Sequence, residues 1–201
     1  MTDRIVVVAN GLCWGIVALV WLAGALYNAL HGRSERITGQ PTSIPSIVAA
    51  VAGCAFVVVI GNTLAQGLTV EATWVRALGL VLLVTSTLFA LWARFSLGVL
   101  WSVGPRVGRD RHLVTHGPYA VTRHPIYTGM LGMLAGSALL GGLGLWIVFL
   151  AVGVIVVAVK IRMEERLLLE VFPVDYPRYQ ERVPQVVPGL RALHRRDRRP
   201  S

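Results

Sequence analysis

The chain of 201 residues carries a net charge of +9, yet only 14% of its residues are charged and 55% are hydrophobic. About a quarter of the residues of a soluble domain are charged, so this composition excludes an ordinary soluble protein. Because the positive charges adjoin long apolar segments, we attribute them to membrane topology and anionic lipid headgroups, and not to nucleic acid. The sequence therefore predicts an integral membrane protein.

Four stretches contain no Asp, Glu, Lys or Arg: those between Arg4 and Arg33, Arg36 and Glu71, Arg76 and Arg94, and Arg123 and Lys160. A helix needs about 20 apolar residues to cross the hydrocarbon core, so each stretch predicts at least one crossing. The fourth stretch would run about 54 Å as one helix, against a core of about 30 Å. Gly141, Gly142 and Gly144 in its middle favour a turn. We therefore expect a hairpin of one helix from about Ile126 to Leu140 and a second from about Leu145, giving an all-α protein with about five transmembrane helices.

Arginine placement predicts the topology. The Arg residues follow the first crossing, separate the third from the fourth and follow the fifth, which by the positive-inside rule predicts an external N-terminus and a cytoplasmic C-terminus. A cleaved signal peptide is the alternative for residues 1–30, but that apolar stretch exceeds the usual h-region of about 7–15 residues. The few polar side chains of the first half, such as Asn10, are expected to hydrogen-bond between helices or to lie near the interfaces.

A polar string marks the start of the fourth crossing. Residues 113–119 lead into Arg123-His124-Pro125-Ile126-Tyr127-Thr128-Gly129. Pro125 suits the first turn of a helix, whose free N–H groups and positive dipole end favour a carboxylate. Arg123 and His124 add donors, and Tyr127 offers a ring face to a cation. The string suits a zwitterionic ligand with a carboxylate and a sulfonium, although any one of these residues alone would be better explained as an interfacial anchor of the helix.

A second string follows the fifth crossing. Glu164 and Glu165 are adjacent, and the sequence continues through Phe172-Pro173-Val174-Asp175-Tyr176 to Tyr179 and Pro184. Two carboxylates at a helix end, among many Arg residues, can hold an amino group or ribose hydroxyls. The alternative is a solvated face paired with nearby arginines, which contributes little stability.

Both strings, in this order and separated by the hairpin, resemble the isoprenylcysteine carboxyl methyltransferase family and its bacterial relatives over about residues 94–190. The resemblance implies S-adenosylmethionine as cofactor, in a pocket between the cytoplasmic ends of the last helices and the C-terminal segment. It implies cofactor contacts at Arg111, His112, Leu113, Val114, Tyr119, His124, Pro125, Ile126, Tyr127, Glu164 and Glu165. It also implies that Lys160, with Arg162 as a close alternative, contacts the substrate, and we place Arg123 with them as a candidate catalytic residue. Phe172-Pro173 departs from the Phe-Gly that is usual in the family.

The distribution of polar residues divides the chain into three N-terminal transmembrane helices (residues 1–93) and a catalytic half with a basic tail (residues 94–201). The implied reaction transfers a methyl group to the carboxylate of an isoprenylcysteine-like or other amphiphilic acceptor that enters from the bilayer. A carboxylate with a pKa near 4 is already ionised at neutral pH, so this reaction needs no general base. The contribution of the protein would be to position the reactants and to exclude water.

Three alternatives stay open at this stage. A phospholipid or amine N-methyltransferase would use the same cofactor but would need a base, for which His116 and His124 are the nearby candidates. An NADPH-dependent sterol or isoprenoid reductase and a non-catalytic membrane protein are the others. We expect no metal, because no Cys or acid completes a ligand set with His112, His116 and His124. The acceptor and the oligomeric state are not determined by the sequence.

Overall fold

The structure is a computed structural model that describes residues 3–30, 72–97 and 113–187. Within these ranges the chain is helical and has no strand, which confirms the predicted all-α fold for the described part. Its elements are α1 (Asp3–Leu30), α2 (Thr73–Leu97), a 3-10 turn (Gly117–Ala120), α3 (Pro125–Leu140), α4 (Gly144–Val171) and α5 (Asp175–Arg182). The predicted crossing between Arg36 and Glu71 lies outside the described residues.

Three of the described helices are long and apolar enough to cross a membrane: Arg4–Gly24, Thr73–Leu97 and Trp146–Val171. They expose many large apolar side chains, as lipid-facing helices do. α3 is also apolar, but its 16 residues reach only about 24 Å. α4 has 28 residues and is about 42 Å long. It is therefore longer than the hydrocarbon core is thick, and its last turns extend into the polar boundary of the membrane. The protein is an integral membrane protein.

The hairpin that joins α3 to α4 forms at the predicted glycines. Gly142 and Gly144 have φ values of 83° and 36°, in the left-handed region that favours glycine. Leu143 also has a positive φ of 72°, and its backbone N–H donates to the carbonyl of Ala138 at 2.6 Å. The chain therefore reverses within four residues, and α4 runs back beside α3.

α2 and α3 pack closely because small residues line their contact. A Cβ atom added to Gly136 would lie 2.5 Å from the backbone nitrogen of Leu83, and one added to Gly129 would lie 2.7 Å from the Cβ of Ala90. Membrane helices associate through such small residues, which bring the backbones together. This seam places the first turn of α3 beside the last turns of α2.

Gly136→Ala should therefore destabilise the protein by about 1–3 kcal/mol, because the added methyl group meets backbone atoms that cannot move aside. Gly15→Ala in α1 is the matched control, since nothing lies within 4 Å of its added Cβ. Unfolding of both variants in a mild detergent checks the prediction. Equal stability of the two variants would contradict the close packing described here.

A polar cluster joins α1 to α3. The buried Ser137 hydroxyl donates to Asn10 Oδ1 at 2.6 Å and accepts from Trp14 Nε1 at 3.1 Å. Asn10 Nδ2 donates to the carbonyl of Val6 at 3.0 Å. The expectation that Asn10 hydrogen-bonds between helices is confirmed, and α1 is held against the helices that carry the polar strings.

Candidate functional site

The site lies where α3 begins and α4 nears its end. Pro125 opens α3 as predicted, where its missing N–H costs no hydrogen bond, and His124 directly precedes the helix. Along α4, about 30 Å of helix separate Gly144 at the hairpin from Glu164. The two polar strings of the sequence therefore meet at the end of the bundle that is opposite the hairpin.

A C-terminal segment, residues 183–187, closes one side of this site, and we call it the strap. The backbone N–H groups of Arg123 and His124 donate to carbonyl oxygens of the strap at 2.9 and 3.2 Å. The hydroxyls of Thr122 and Thr128 donate to the strap at 2.8 and 2.7 Å. The strap thus accepts the hydrogen bonds of the loop that leads into α3, which fixes the backbone around His124.

His124 lies between two carboxylates. Its Nε2 is 3.3 Å from Glu165 Oε1, and its Nδ1 is 3.7 Å from Glu164 Oε2. The hydroxyl of Tyr127 donates to Glu164 Oε1 at 2.5 Å. Because both ring nitrogens face an acidic oxygen, the arrangement suits an imidazolium, which can donate from both.

Glu165 makes a different set of contacts. Its Oε1 atom is 3.3 Å from Nη2 of Arg123 and accepts from the hydroxyl of Tyr176 at 3.2 Å, in addition to its contact with His124. The Glu165 side chain is 16% exposed, against 31% for Glu164. Glu165 is therefore directed into the protein, whereas Glu164 retains an open side.

The pKa of His124 is the balance of two opposing effects. Burial lowers the pKa of this imidazole, but hydrogen bonds and charge interactions with Glu164 and Glu165 outweigh burial and raise it above its usual 6.5. The other groups facing the ring are the neighbouring Arg123 and the phenol of Tyr127, whose ring centroid lies 6.0 Å away.

A pKa that is raised on folding makes stability depend on pH with a defined sign. The contribution of His124 is fully present below pH 6.5 and is lost as the pH rises through the raised value. His124→Gln removes this titration, so the difference in unfolding temperature between the wild type and this variant should shrink with rising pH. His116→Gln, at an exposed position, is the control. A difference that is constant or grows above pH 6.5 would contradict the pairing.

The other predicted residues fall into three groups. Val114 and Pro125 are buried in the loop and the first turn of α3, and Leu113, Tyr119 and Ile126 are half-buried nearby. Lys160 and Arg162 are exposed on α4. Arg111 and His112 lie outside the described residues, so their predicted contacts stay predictions.

Some residues of the site were not among the predicted ones. Tyr179 of α5 donates to the carbonyl of Tyr119 at 2.5 Å, and Tyr176 donates to Glu165. Arg94, near the end of α2, interacts electrostatically with the phenol of Tyr119. A signal was present for the tyrosines, since Tyr176 and Tyr179 are spaced for one face of a helix. No group of three His, Cys, Asp or Glu side chains in the described ranges could hold a metal ion.

These features define a class: a polytopic helical membrane protein with an acid- and tyrosine-lined site at the end of its bundle. The sequence profile of the phospholipid methyltransferase family matches residues 74–174, which contain all but the first residue of α2, the whole of α3 and α4, and most of the site. The chain belongs to the phospholipid methyltransferase family.

Two curated proteins are similar to this chain in sequence. The chain is 33% identical over 122 residues to the cobalt-zinc-cadmium resistance protein CzcN of Cupriavidus metallidurans, covering 60% of this chain and 54% of CzcN. It is 31% identical over 126 residues to protein-S-isoprenylcysteine O-methyltransferase B of Arabidopsis thaliana, covering 57% of this chain and 60% of that protein. The chain thus spans between half and two thirds of the length of these relatives.

A solved structure has the same fold. The eukaryotic intramembrane Ras methyltransferase ICMT (isoprenylcysteine carboxyl methyltransferase) matches with a TM-score of 0.58 and 23% identity, covering 91% of this chain and 68% of that one. The match confirms the helical membrane fold. Together with the family profile and the plant relative, it confirms the resemblance to the isoprenylcysteine carboxyl methyltransferase family.

Proposed function

We propose that the protein is an S-adenosylmethionine-dependent methyltransferase that methylates the carboxylate of an isoprenylcysteine-like or other amphiphilic acceptor. The observation that carries the proposal is the Glu164 carboxylate, held by Tyr127 and His124 inside the segment that matches the family profile. The isoprenylcysteine methyltransferase of Arabidopsis thaliana among the relatives supports this choice of acceptor.

The residues of the site fit the proposed cofactor. S-adenosylmethionine carries a sulfonium and an ammonium. The partly exposed carboxylate of Glu164, beside the phenol of Tyr127, suits such cations. Glu164 and Tyr127 would hold the cationic part, with Leu113, Val114 and Tyr119 from the loop before α3 as further contacts. Bound there, the cofactor supplies an electrophilic methyl group.

The protein itself would contribute binding, orientation and exclusion of water. Lys160 lies four residues before Glu164, so both side chains project from the same face of α4. A cation at Lys160 would orient the acceptor carboxylate one turn deeper in the membrane than the cofactor, and Arg162, on another face of α4, is the alternative. Holding two reactants in line converts a bimolecular step into an effectively unimolecular one.

The contacts of His124 favour a carboxylate acceptor over an amine. An ammonium headgroup must lose a proton before it can accept a methyl group, whereas a carboxylate need not. Both ring nitrogens of His124 face carboxylates, which raise its pKa and keep its proton in place. His124 is thus a poor base, and His116 is exposed. The family membership favours methyl transfer over a reductase.

The orientation in the membrane and the division of the chain are also proposals. The arginine distribution supports an external N-terminus and a cytoplasmic C-terminus, which would open the site to the cytoplasm. If the protein is bacterial, its membrane is the plasma membrane, with membrane lipids as neighbours. The division into residues 1–93 and 94–201 stays a prediction.

Calorimetric titration of S-adenosylhomocysteine into the purified protein, beside a titration of NADPH, tests the proposed class. We expect saturable binding of S-adenosylhomocysteine with one site per chain and no binding of NADPH. Binding of NADPH alone would support the reductase. Absence of both would contradict a cofactor-dependent enzyme.

A further inference from the structure

We infer that Glu165 is a positioning residue, which holds His124 and Arg123 in place and joins α5 and the strap to the site, while Glu164 faces the ligand. The inference rests on the proposed function and deepens it, because it gives different tasks to two adjacent carboxylates. A sequence pattern cannot separate these tasks, since both residues have the same charge and lie near the same helix end.

The contacts of Glu165 are the first support. A single oxygen, Oε1, has Arg123, His124 and Tyr176 within 3.2–3.3 Å, and the side chain of Gln185 also hydrogen-bonds Glu165. These four partners come from the loop before α3, from α5 and from the strap. An ionised carboxylate has about four acceptor positions, so little capacity remains for a ligand.

The burial of the groups that contact Glu165 is the second support. Tyr176 is 1% exposed and His124 is 6% exposed, so both groups have lost their water. Glu165 accepts from Tyr176 and pairs with the ring of His124, which also faces Glu164. Burial, followed by the nearby Glu165 charge, raises the pKa of Tyr176, so its phenol stays protonated and donates. The charges facing His124 are Glu164 and Glu165 from α4 and the neighbouring Arg123.

The consequence is an indirect route from α5 to the ligand. Tyr176 contacts Glu165, Glu165 contacts His124, and His124 faces Glu164, which has the open side. A change at Tyr176 should therefore weaken ligand binding although Tyr176 itself does not touch the ligand.

Three variants test the inference. Glu165→Gln keeps the shape and removes the charge, Tyr176→Phe removes one donor, and Glu170→Gln makes the same chemical change at an exposed position of α4. The first readout needs no ligand: the titration of the His124 ring by NMR, assigned by the signal that disappears in His124→Gln. The second readout is the affinity for S-adenosylhomocysteine.

We expect Glu165→Gln to lower the pKa of His124 and to weaken S-adenosylhomocysteine binding by about ten- to a hundredfold. Tyr176→Phe should shift both quantities in the same direction by a smaller amount, and Glu170→Gln should shift neither. An unchanged His124 titration in Glu165→Gln would overturn the inference. So would a Tyr176→Phe variant with wild-type titration and affinity.

The two readouts separate this inference from the proposed function. If wild-type protein fails to bind S-adenosylhomocysteine, the proposed function fails, and the titration of His124 still decides whether Glu165 positions that ring. If Glu165→Gln does not fold, Tyr176→Phe carries the test, because it removes one hydroxyl and leaves every charge in place.

Discussion

Glu164→Gln is expected to weaken S-adenosylhomocysteine binding by about ten- to a hundredfold while leaving the fold intact. A charge-assisted hydrogen bond to a ligand ammonium or ribose hydroxyl is about twice as strong as a neutral one, and the amide of Gln cannot replace it. Gln has the same shape as Glu and can still accept from Tyr127, so the packing of α4 should be unchanged. Calorimetric titration measures the effect.

Glu170→Gln is the matched control for this prediction, because Glu170 is an exposed carboxylate on the same helix. The variant should bind as the wild type does. Equal affinities of the Glu164→Gln and Glu170→Gln variants would show that the cofactor lies elsewhere and would leave Glu164 as a partner of Tyr127 and His124 only.

Lys160→Met should lower kcat/KM for a carboxylate acceptor by about ten- to a hundredfold and leave the affinity for S-adenosylhomocysteine unchanged. Methionine keeps an unbranched apolar side chain and removes the cation. The substitution should affect the binding or orientation of the acceptor and not that of the cofactor. Lys160 lies one turn of α4 away from Glu164, on the side of the hairpin. Initial rates at varied acceptor concentration give the split between KM and kcat.

Two further variants sharpen this prediction. Arg162→Met tests the alternative that Arg162 holds the acceptor, and the larger of the two losses identifies the contact. Arg178→Met, at an exposed position of α5, controls for the loss of a positive charge near the membrane. If all three variants lose activity equally, general attraction to anionic lipid explains the effect better than a specific contact.

Much of the fold could be predicted because membrane helices are limited by length and polarity. The hairpin followed from Gly141, Gly142 and Gly144 within a segment that was too long for one crossing, and the turn forms there. The continuation of α4 to Val171 could also be predicted, because the acids and apolar residues after Met163 keep a helical period after the helix has left the hydrocarbon core.

The arrangement of the site could be predicted only in part. The resemblance to the methyltransferase family implied that His124, Tyr127 and Glu164 belong to one site, and the structure places them within hydrogen-bonding or ion-pairing distance. The pairing of the strap with the loop before α3 is formed by backbone groups and threonine hydroxyls about 60 residues apart, which no local pattern encodes. Which of the two adjacent carboxylates faces inward likewise depends on packing, since Tyr176 of α5 contacts Glu165 and not Glu164.

The most direct test of the account is to supply the purified protein with S-adenosylmethionine labelled in its methyl group and a farnesylated cysteine with a free carboxylate. We predict a labelled product that releases its label as methanol in alkali, because methyl esters hydrolyse there and N-methyl groups do not. Phosphatidylethanolamine, tested in parallel, should not be labelled. Alkali-stable label on the phospholipid, with none on the cysteine carboxylate, would contradict the assignment as a carboxyl methyltransferase.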